Sequence, residues 1–300
     1  MLSRLIKSSL LIVALGGSLI AGNFNAQAEK DRIALEKYFV KKFKNPLDNG
    51  EFPYVDKKEI KDKYTYPLSA TDMKNGTASW YKPTAEQFEE INDFPPYEIP
   101  LEDGENLFVK KFKNGKSFAD CFPDVAIKQN YPYFDIKKNE VVTLGQAVNE
   151  CLVKNGEKAW KKGKGKLAQV VGYIAYKSRG KKIDIKIPTK SAEAAYNAGK
   201  KMFYKQRGYL FISCAECHVQ GAGKRIRAEA LSPILGSTTH MPVYRLKWGG
   251  LGTLQRRLAG CVKQTGSQKP KLQSRELKEL EYFITYMSNG MKLNGPDTRK

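Results

Sequence analysis

Apolar residues recur at helical spacing in two segments of the second half of the chain. In 191–206 they follow a helical period behind Ser191, a suitable N-cap, which predicts a helix. The segment 274–288 predicts a second amphipathic helix. Its apolar stripe consists of Leu277, Leu280, Phe283, Ile284 and Met287. Between them, 219–253 is rich in Gly, Pro and Thr, which predicts loop with short helices. The pattern indicates an all-α fold.

The same pattern recurs in the first half. The segment 141–156 (VVTLGQAVNECLVKNG) overlays 251–266 (LGTLQRRLAGCVKQTG) at an offset of 110 residues, and 173–180 overlays 283–290 at the same offset. Upstream, GKSFADC overlays GYLFISC at an offset of 93, which aligns one cysteine of each half. Chance similarity among short amphipathic segments is not expected to keep so constant an offset. The pattern therefore predicts a duplicated domain.

The N-terminus has the features of a secretory signal peptide. Arg4 and Lys7 precede the apolar run 10–20, and a small-x-small sequence ends at Ala28. We therefore expect cleavage after Ala28 and a periplasmic mature protein. The apolar run is too short to span a bilayer and no later segment is longer, so no membrane insertion is expected.

The chain is strongly basic. Its formal net charge is +21, or +19 without the two cations of the signal segment. In an exported protein such a charge indicates anionic partners or substrates, although lysines spread over the surface for solubility give the same total. The sequence contains no nucleic-acid-binding motif, and an exported protein does not meet the nucleic acid of the cell. Nucleic acid is therefore not an expected partner.

The string CAECH places Cys214, Cys217 and His218 together. Zinc needs four ligands, and these three adjacent positions cannot bind one ion comfortably. A thioredoxin-like dithiol normally lies in a βαβ unit, which is not predicted here. In an exported helical chain, C-x-x-C-H is typical of c-type haem attachment, in which the thiols bind the haem vinyls and the imidazole binds iron.

The first half lacks the equivalent residues. Cys121 aligns with the first haem cysteine, but Asp124 and Val125 occupy the positions of the second cysteine and the histidine. This half therefore cannot bind haem in the same way, and Cys121 and Cys151 are expected to pair in an oxidising compartment. The sequence predicts two cytochrome c-like domains related by internal duplication, with one covalently bound haem c in the C-terminal domain.

These predictions divide the chain into four parts. The first, 1–28, is the signal peptide, and 29–97 is an extension expected to pack on the first domain. The haem-free domain with its disulfide covers 98–188, and the haem-binding domain covers 189–300.

Cys261 is the cysteine left over. A single thiol in an exported protein can form an intermolecular disulfide, remain inert or bind a metal. Thr253 is a suitable N-cap for a short helix that sets Arg257 and Cys261 one turn apart on one face. In the first half Ala147 replaces this arginine. A neighbouring arginine stabilises a thiolate and can bind an oxyanion with two hydrogen bonds.

Other residues compete for the far side of the iron. Met241 or Met287 would give the His/Met ligation of an ordinary electron carrier, and His240 would give bis-His ligation. His240 and Met241 are equally compatible with a packing role. Arg245 and Lys247 are compatible either with an anionic funnel or with a solvated surface.

The segment SCAECHVQGAGKRIRAEALSPILGSTTHMPVYRLKWGGLGTLQRRLAGC resembles the haem segment of SoxA, the cytochrome subunit of the thiosulfate-oxidising Sox system. GKSFADCF, QNYPYFD and VVTLGQAVNEC resemble its N-terminal domain, and the resemblance covers roughly residues 70–290. Diheme members carry a second C-x-x-C-H in the first half. Because this chain has Asp124 and Val125 there, it resembles the monohaem branch, in which the two leftover cysteines form a disulfide.

The resemblance implies a function and a role for each site residue. Cys214 and Cys217 would bind the haem, His218 would be its proximal ligand, and Cys261 the distal ligand and catalytic sulfur, found in the family as a persulfide. Arg257 would bind thiosulfate. The implied activity is that of an L-cysteine S-thiosulfotransferase, which couples thiosulfate to a cysteine of the carrier SoxYZ and passes electrons through haem to its partner SoxX. One alternative is an electron-transfer cytochrome without sulfur chemistry. The other is a structural protein in which the haem only holds a helical domain together.

Overall fold

Helices dominate the structure, a computed structural model that describes residues 24–43, 90–91, 93–222, 224–226 and 229–299. Most of the predicted signal peptide lies outside these residues, and its last three, from Ala26 to Ala28, begin the first helix. None of the helices in the described parts of the chain has the length and apolar character needed to cross a membrane.

The prediction of a helix-rich fold is confirmed. The helices are α1 (Ala26–Phe43), α2 (Glu98–Val109), α3 (Phe118–Cys121), α4 (Leu144–Lys154), α5 (Lys166–Lys177), α6 (Lys190–Tyr204), α7 (Leu254–Gln264) and α8 (Arg275–Tyr286). The all-α prediction missed short strands, because two or three residues are too few to show alternation. The strands are β1 (Tyr133–Asp135), β2 (Glu140–Val142), β3 (Arg225–Ile226), β4 (Glu229–Ala230), β5 (Val243–Arg245), β6 (Gly250–Gly252) and β7 (Asp297–Arg299).

The strands form three small sheets. β1 pairs with β2 and β3 with β4, both antiparallel. β5 lies between antiparallel β6 and parallel β7. The segment 219–253, which we expected to be loop with short helices, therefore contributes four strands in the described residues. The hairpins β1–β2 and β5–β6 lead directly into α4 and α7.

The helix boundaries test the predicted N-caps. α8 begins after Ser274, whose hydroxyl accepts a hydrogen bond from the Leu277 amide, and α7 begins after Thr253. The position of the predicted Thr253 cap is confirmed, although its hydroxyl makes no capping hydrogen bond, whereas the Ser274 cap was not predicted. The predicted cap Ser191 is wrong, because Thr189 accepts the hydrogen bond from the Ala192 amide (3.1 Å) and α6 has already begun at Lys190.

One helix crossing occurs in each half and depends on a glycine. α2 crosses α5 at Gly104, and α6 crosses α8 at Gly199. A Cβ at Gly104 would lie 2.3 Å from the Gln169 carbonyl oxygen, and one at Gly199 would lie 2.0 Å from that of Glu279. Only glycine allows these backbones to approach so closely. Each crossing carries an aromatic core, with Phe118 fully buried in the first half and Tyr196 in the second.

Contacts between the halves occur in reciprocal pairs. The Gly180 amide donates to the Leu293 carbonyl (2.8 Å), and the Gly290 amide donates to the Ile183 carbonyl (2.9 Å). Gly290 follows Gly180 by 110 residues and Leu293 follows Ile183 by 110 residues, so each hydrogen bond repeats the other with the halves exchanged.

An antiparallel bridge between Lys182 and Lys292 lies at the centre of this pairing. Each of these residues is the counterpart of the other at the same offset, as expected at the axis of a two-fold arrangement. The two hairpins also make reciprocal contacts, each with the opposite half. Val141 joins the core cluster of the second half, and its counterpart Leu251 packs with Ala168 of the first.

The extension does not pack where it was expected. Its helix α1 lies on the second half, because Leu35 and Phe39 bury their side chains in that half's core cluster. The Asp31 carboxylate accepts hydrogen bonds from the Tyr196 hydroxyl (2.9 Å) and the Lys200 ammonium (2.6 Å). In the part of the extension that the structure describes, α1 therefore does not pack on the first domain as expected, whereas Tyr97, at the end of the extension, joins a cluster with α5.

Candidate functional site

The C-x-x-C-H string lies on a short capped turn that continues into a π-helical turn. Ser213 and Glu216 bond reciprocally, since the Ser213 amide donates to the Glu216 carboxylate (2.7 Å) and the Glu216 amide donates to the Ser213 hydroxyl (3.2 Å). A π-helical turn, Glu216–Gln220, follows. A Cβ at Gly221 would lie 2.7 Å from the Glu216 carbonyl oxygen, so a glycine is needed to close the turn. This arrangement fixes the spacing of Cys214 and Cys217.

His218 has one ring nitrogen fixed and one left for a ligand. Its Nδ1 lies 2.8 Å from the Ser232 carbonyl oxygen, which can only accept, so Nδ1 carries the proton. This hydrogen bond leaves Nε2 as a metal-binding atom, the usual arrangement of a ligating histidine. Burial lowers the pKa of His218, and the nearby charge of Arg257 lowers it further, so the imidazole is neutral at neutral pH.

The structure brings three free thiols together. Cys214, Cys217 and Cys261 are each partly exposed and unpaired by disulfides. Burial raises the pKa of Cys214 to about 11 and also raises that of Cys217, and in both cases the proximity of Cys261 contributes. Cys261, on α7, therefore lies near the two cysteines of the C-x-x-C-H string although it is more than 40 residues away in sequence.

The two adjacent arginines of α7 point to different places. The Arg256 guanidinium lies over the Trp248 ring, 4.1 Å from its centroid, and burial lowers its pKa. The Arg257 charge instead acts on His218 and also on His240. Arg257 is therefore the arginine that shares the site with Cys261.

Arg245 does not line an anionic funnel. It is 2% exposed, and its guanidinium lies 5.4 Å from the centroid of Trp248. A buried cation over an indole stabilises the packing of β5 and cannot meet an anion from solvent. Lys247 is exposed, as either of its two predicted roles requires.

His240 and Met241 are both buried, at 6% and 7% exposure. The His240 Nδ1 has no hydrogen-bond partner among the described residues. Burial holds its pKa well below the usual value, and the charges of Arg299 and Arg257 contribute. Met241 and Met287 belong to the core cluster of the second half.

The first half holds a disulfide where the second holds the string. Cys121 and Cys151 are joined, with Cα atoms 6.1 Å apart. Asp124, at the position of the second haem cysteine, is 64% exposed and bonds to Lys181. Val125, at the position of the histidine, packs against the apolar core of this half.

The residues of the second half fit a haem c. Two thiols at fixed spacing match the covalent attachment, and His218 offers a neutral imidazole with Nε2 free. Some supporting residues escaped the sequence analysis. The pair Ser213 and Glu216 follows the S-x-x-E capping pattern and was readable in principle. The Ser232 carbonyl carries no sequence signal, since any residue supplies one.

Comparison with known proteins gives the family. Residues 103–183 and 198–293 match the model of the SoxA/TsdA cytochrome c domain. The L-cysteine S-thiosulfotransferase subunit SoxA of Chlorobaculum tepidum is 51% identical over 76% of this chain and 80% of its own length. The subunit of the same name from Chlorobaculum thiosulfatiphilum is 44% identical over 93% of this chain and 91% of its own.

A solved structure agrees with the sequence comparisons. A chain of the crystal structure of SoxXA from P. pantotrophus superposes with a TM-score of 0.66 at 28% identity, over 72% of this chain and 84% of that one. The family model matches the sequence of both halves, and the superposition shows that the fold is similar as well. The chain is a member of the SoxA/TsdA cytochrome c family.

Proposed function

We propose that this chain is the SoxA-type subunit of a periplasmic L-cysteine S-thiosulfotransferase that couples thiosulfate to a cysteine of the sulfur carrier SoxYZ. The names of the similar subunits support the activity. The observation that carries the proposal is that Arg257 and Cys261 share the site of the C-x-x-C-H string. An anion-binding group beside a free thiol suits sulfur transfer, and an electron carrier has no need of it.

The proposed reaction is an oxidative coupling. A bond forms between the outer sulfur of thiosulfate and the sulfur of the carrier cysteine, the carrier thiol loses its proton, and two electrons leave. A haem c held by Cys214, Cys217 and His218 would supply the route by which these electrons depart, towards the haem of SoxX.

Each residue of the proposed site has a distinct role. Arg257 holds the sulfonate group of thiosulfate, because its planar guanidinium can donate two parallel hydrogen bonds to an oxyanion. Cys261 would bind the haem iron through its sulfur, beside the place where thiosulfate and the carrier cysteine are coupled. His218 is held in one tautomer and orientation by the Ser232 carbonyl. Arg256, over Trp248, keeps α7 packed.

We infer that the chain arose by duplication and binds a single haem, in its second half. The reciprocal hydrogen bonds of Gly180 and Gly290 and the two glycine crossings support the duplication. The exposed Asp124 and the Cys121–Cys151 disulfide support a haem-free first half. The proposed boundaries are those of the sequence analysis, except that α1 belongs with the haem-binding domain at 189–300.

Two measurements test the function. Low-temperature EPR of the ferric protein should give a low-spin His/thiolate signal that Cys261→Ser removes. The same variant should keep its haem covalently bound and lose thiosulfate-dependent turnover with SoxYZ. A variant that retains turnover would refute the proposed role of Cys261. Export is tested separately, by N-terminal sequencing of the mature protein, which should begin at Glu29.

A further inference from the structure

Three consecutive large apolar residues are exposed just before the C-x-x-C-H string. Tyr209, Leu210 and Phe211 are 84%, 55% and 69% exposed, and we call them the apolar tip. Among the described residues no other run of three large apolar side chains is exposed. Single exposed apolar side chains are ordinary, but a contiguous group marks an interaction site.

The tip is held by the fold. An antiparallel bridge between Arg207 and Ile212 closes its base, and the Leu210 amide donates to the Thr265 carbonyl (3.2 Å). Gly208 lies so close to Thr265 that a Cβ would be 2.0 Å from the Thr265 carbonyl oxygen. The loop is therefore fixed to the end of α7, and its side chains are presented in a defined place.

The backbone of the tip is in a conformation that its residues rarely adopt. Phe211 has φ +50°, in the left-handed region, which is unfavourable for residues other than glycine. In the first half the aligned residue is Phe118, which is completely buried in an aromatic core. Phe211 is thus exposed in the second half, whereas its counterpart in the first half packs in the core. Burial of the Phe211 side chain does not compensate for its unfavourable backbone conformation.

The tip lies beside the proposed site. Thr265, which anchors Leu210, caps the C-terminus of α7 four residues after Cys261, about 6 Å along the axis. Phe211 precedes Cys214 by three residues. A protein bound to the tip would therefore lie next to Cys261.

The surroundings of the tip are basic. The segments 200–215 and 254–275 contain ten Lys and Arg residues and no Asp or Glu. These cations are Lys200, Lys201, Lys205, Arg207, Arg256, Arg257, Lys263, Lys269, Lys271 and Arg275. Six of these cations are exposed, and we call four of them, Lys205, Lys263, Lys269 and Lys271, the basic rim. An apolar centre within a charged rim is the usual anatomy of a protein interface, and this rim selects an acidic partner.

We propose that the apolar tip and the basic rim dock the acceptor protein, SoxYZ, through an acidic face with an apolar depression. The inference rests on the proposed function, since the acceptor cysteine has to reach Cys261. A second copy of this chain is disfavoured as the occupant because its own charge of +21 would repel the rim.

The test is a double variant, Tyr209→Ser with Leu210→Ser, in the haem-loaded protein. Calorimetric titration with purified SoxYZ should show a dissociation constant at least about tenfold higher, the loss expected on removing an apolar anchor. In turnover, KM for SoxYZ should rise while KM for thiosulfate stays unchanged. Ile99→Ser, at a side chain 74% exposed on α2 of the first half, is the matched control and should bind normally.

Salt and alternative partners complete the test. Raising the salt concentration should weaken SoxYZ binding by the wild-type protein, because the rim acts through exposed charges. An unchanged dissociation constant for the double variant would overturn the proposal. So would a loss confined to SoxX binding, or to binding of vesicles of anionic phospholipid. Titration needs no turnover, so a failure of this proposal is distinguishable from a failure of the catalytic role of Cys261.

Discussion

Arg257 and Cys261 lie one helical turn apart on α7, and only Arg257 of the arginine pair acts on the site. Arg256 is one residue earlier, and its guanidinium lies over Trp248. The helix therefore places an anion-binding group and a sulfur on one face, and a packing cation on another. This difference between two neighbouring identical residues gives a direct test of the anion site.

Arg257→Ala should lower kcat/KM for thiosulfate by about 10- to 100-fold, because a hydrogen bond to a charged group contributes about 1.5–3 kcal/mol. Steady-state kinetics at saturating SoxYZ measures this loss. Arg256→Ala is the control, which should lower the melting temperature and leave KM for thiosulfate near that of the wild type. Equal kinetic losses in both variants would remove the distinction between the two arginines.

Met241→Leu should leave the visible and EPR spectra of the ferric protein unchanged. Met241 is 7% exposed and belongs to the core cluster, and leucine nearly conserves its volume. If Met241 binds the iron instead of Cys261, the same substitution changes the ligand field and the spectrum shifts. That result would favour an electron carrier without sulfur chemistry. Met287→Leu, at the other candidate methionine, should likewise leave both spectra unchanged.

Removing the disulfide should affect stability and leave the chemistry intact. Cys121→Ser with Cys151→Ser opens a link between residues 30 apart, which should lower the free energy of unfolding by about 3–4 kcal/mol. Denaturant unfolding followed by circular dichroism measures the loss. Below the unfolding transition, turnover per haem should equal that of the wild type. A change in turnover would assign the first half a part in the reaction.

The sequence predicted elements wherever a period or a motif spans enough residues. Helix α8 followed from an apolar stripe, and the C-x-x-C-H string indicated the site. Gly104 and Gly199 lie 95 residues apart, close to the offset of 93 between the cysteines that the repeat aligns, and the structure places both at helix crossings. In each case the signal is local, or is compared between two local segments.

The errors arose where distant segments meet. Leu35 and Phe39 make α1 amphipathic, but their spacing does not reveal which half they cover. Arg245 is charged, and only the fold shows that it is buried over Trp248. A local pattern predicts that a face will be covered, whereas the covering partner depends on packing in three dimensions.

Gly199→Ala tests the crossing on which the haem-binding half depends. A methyl group would lie 2.0 Å from the Glu279 carbonyl oxygen and 2.9 Å from the Phe283 Cβ. Because backbone blocks this space, α6 and α8 would have to separate, and we expect a loss of about 1–3 kcal/mol or more in the free energy of unfolding. Thermal unfolding measures it. Gly250→Ala is the control, since its added methyl group meets nothing within 4 Å. A normal melting temperature for Gly199→Ala would mean that α6 and α8 do not meet at this glycine.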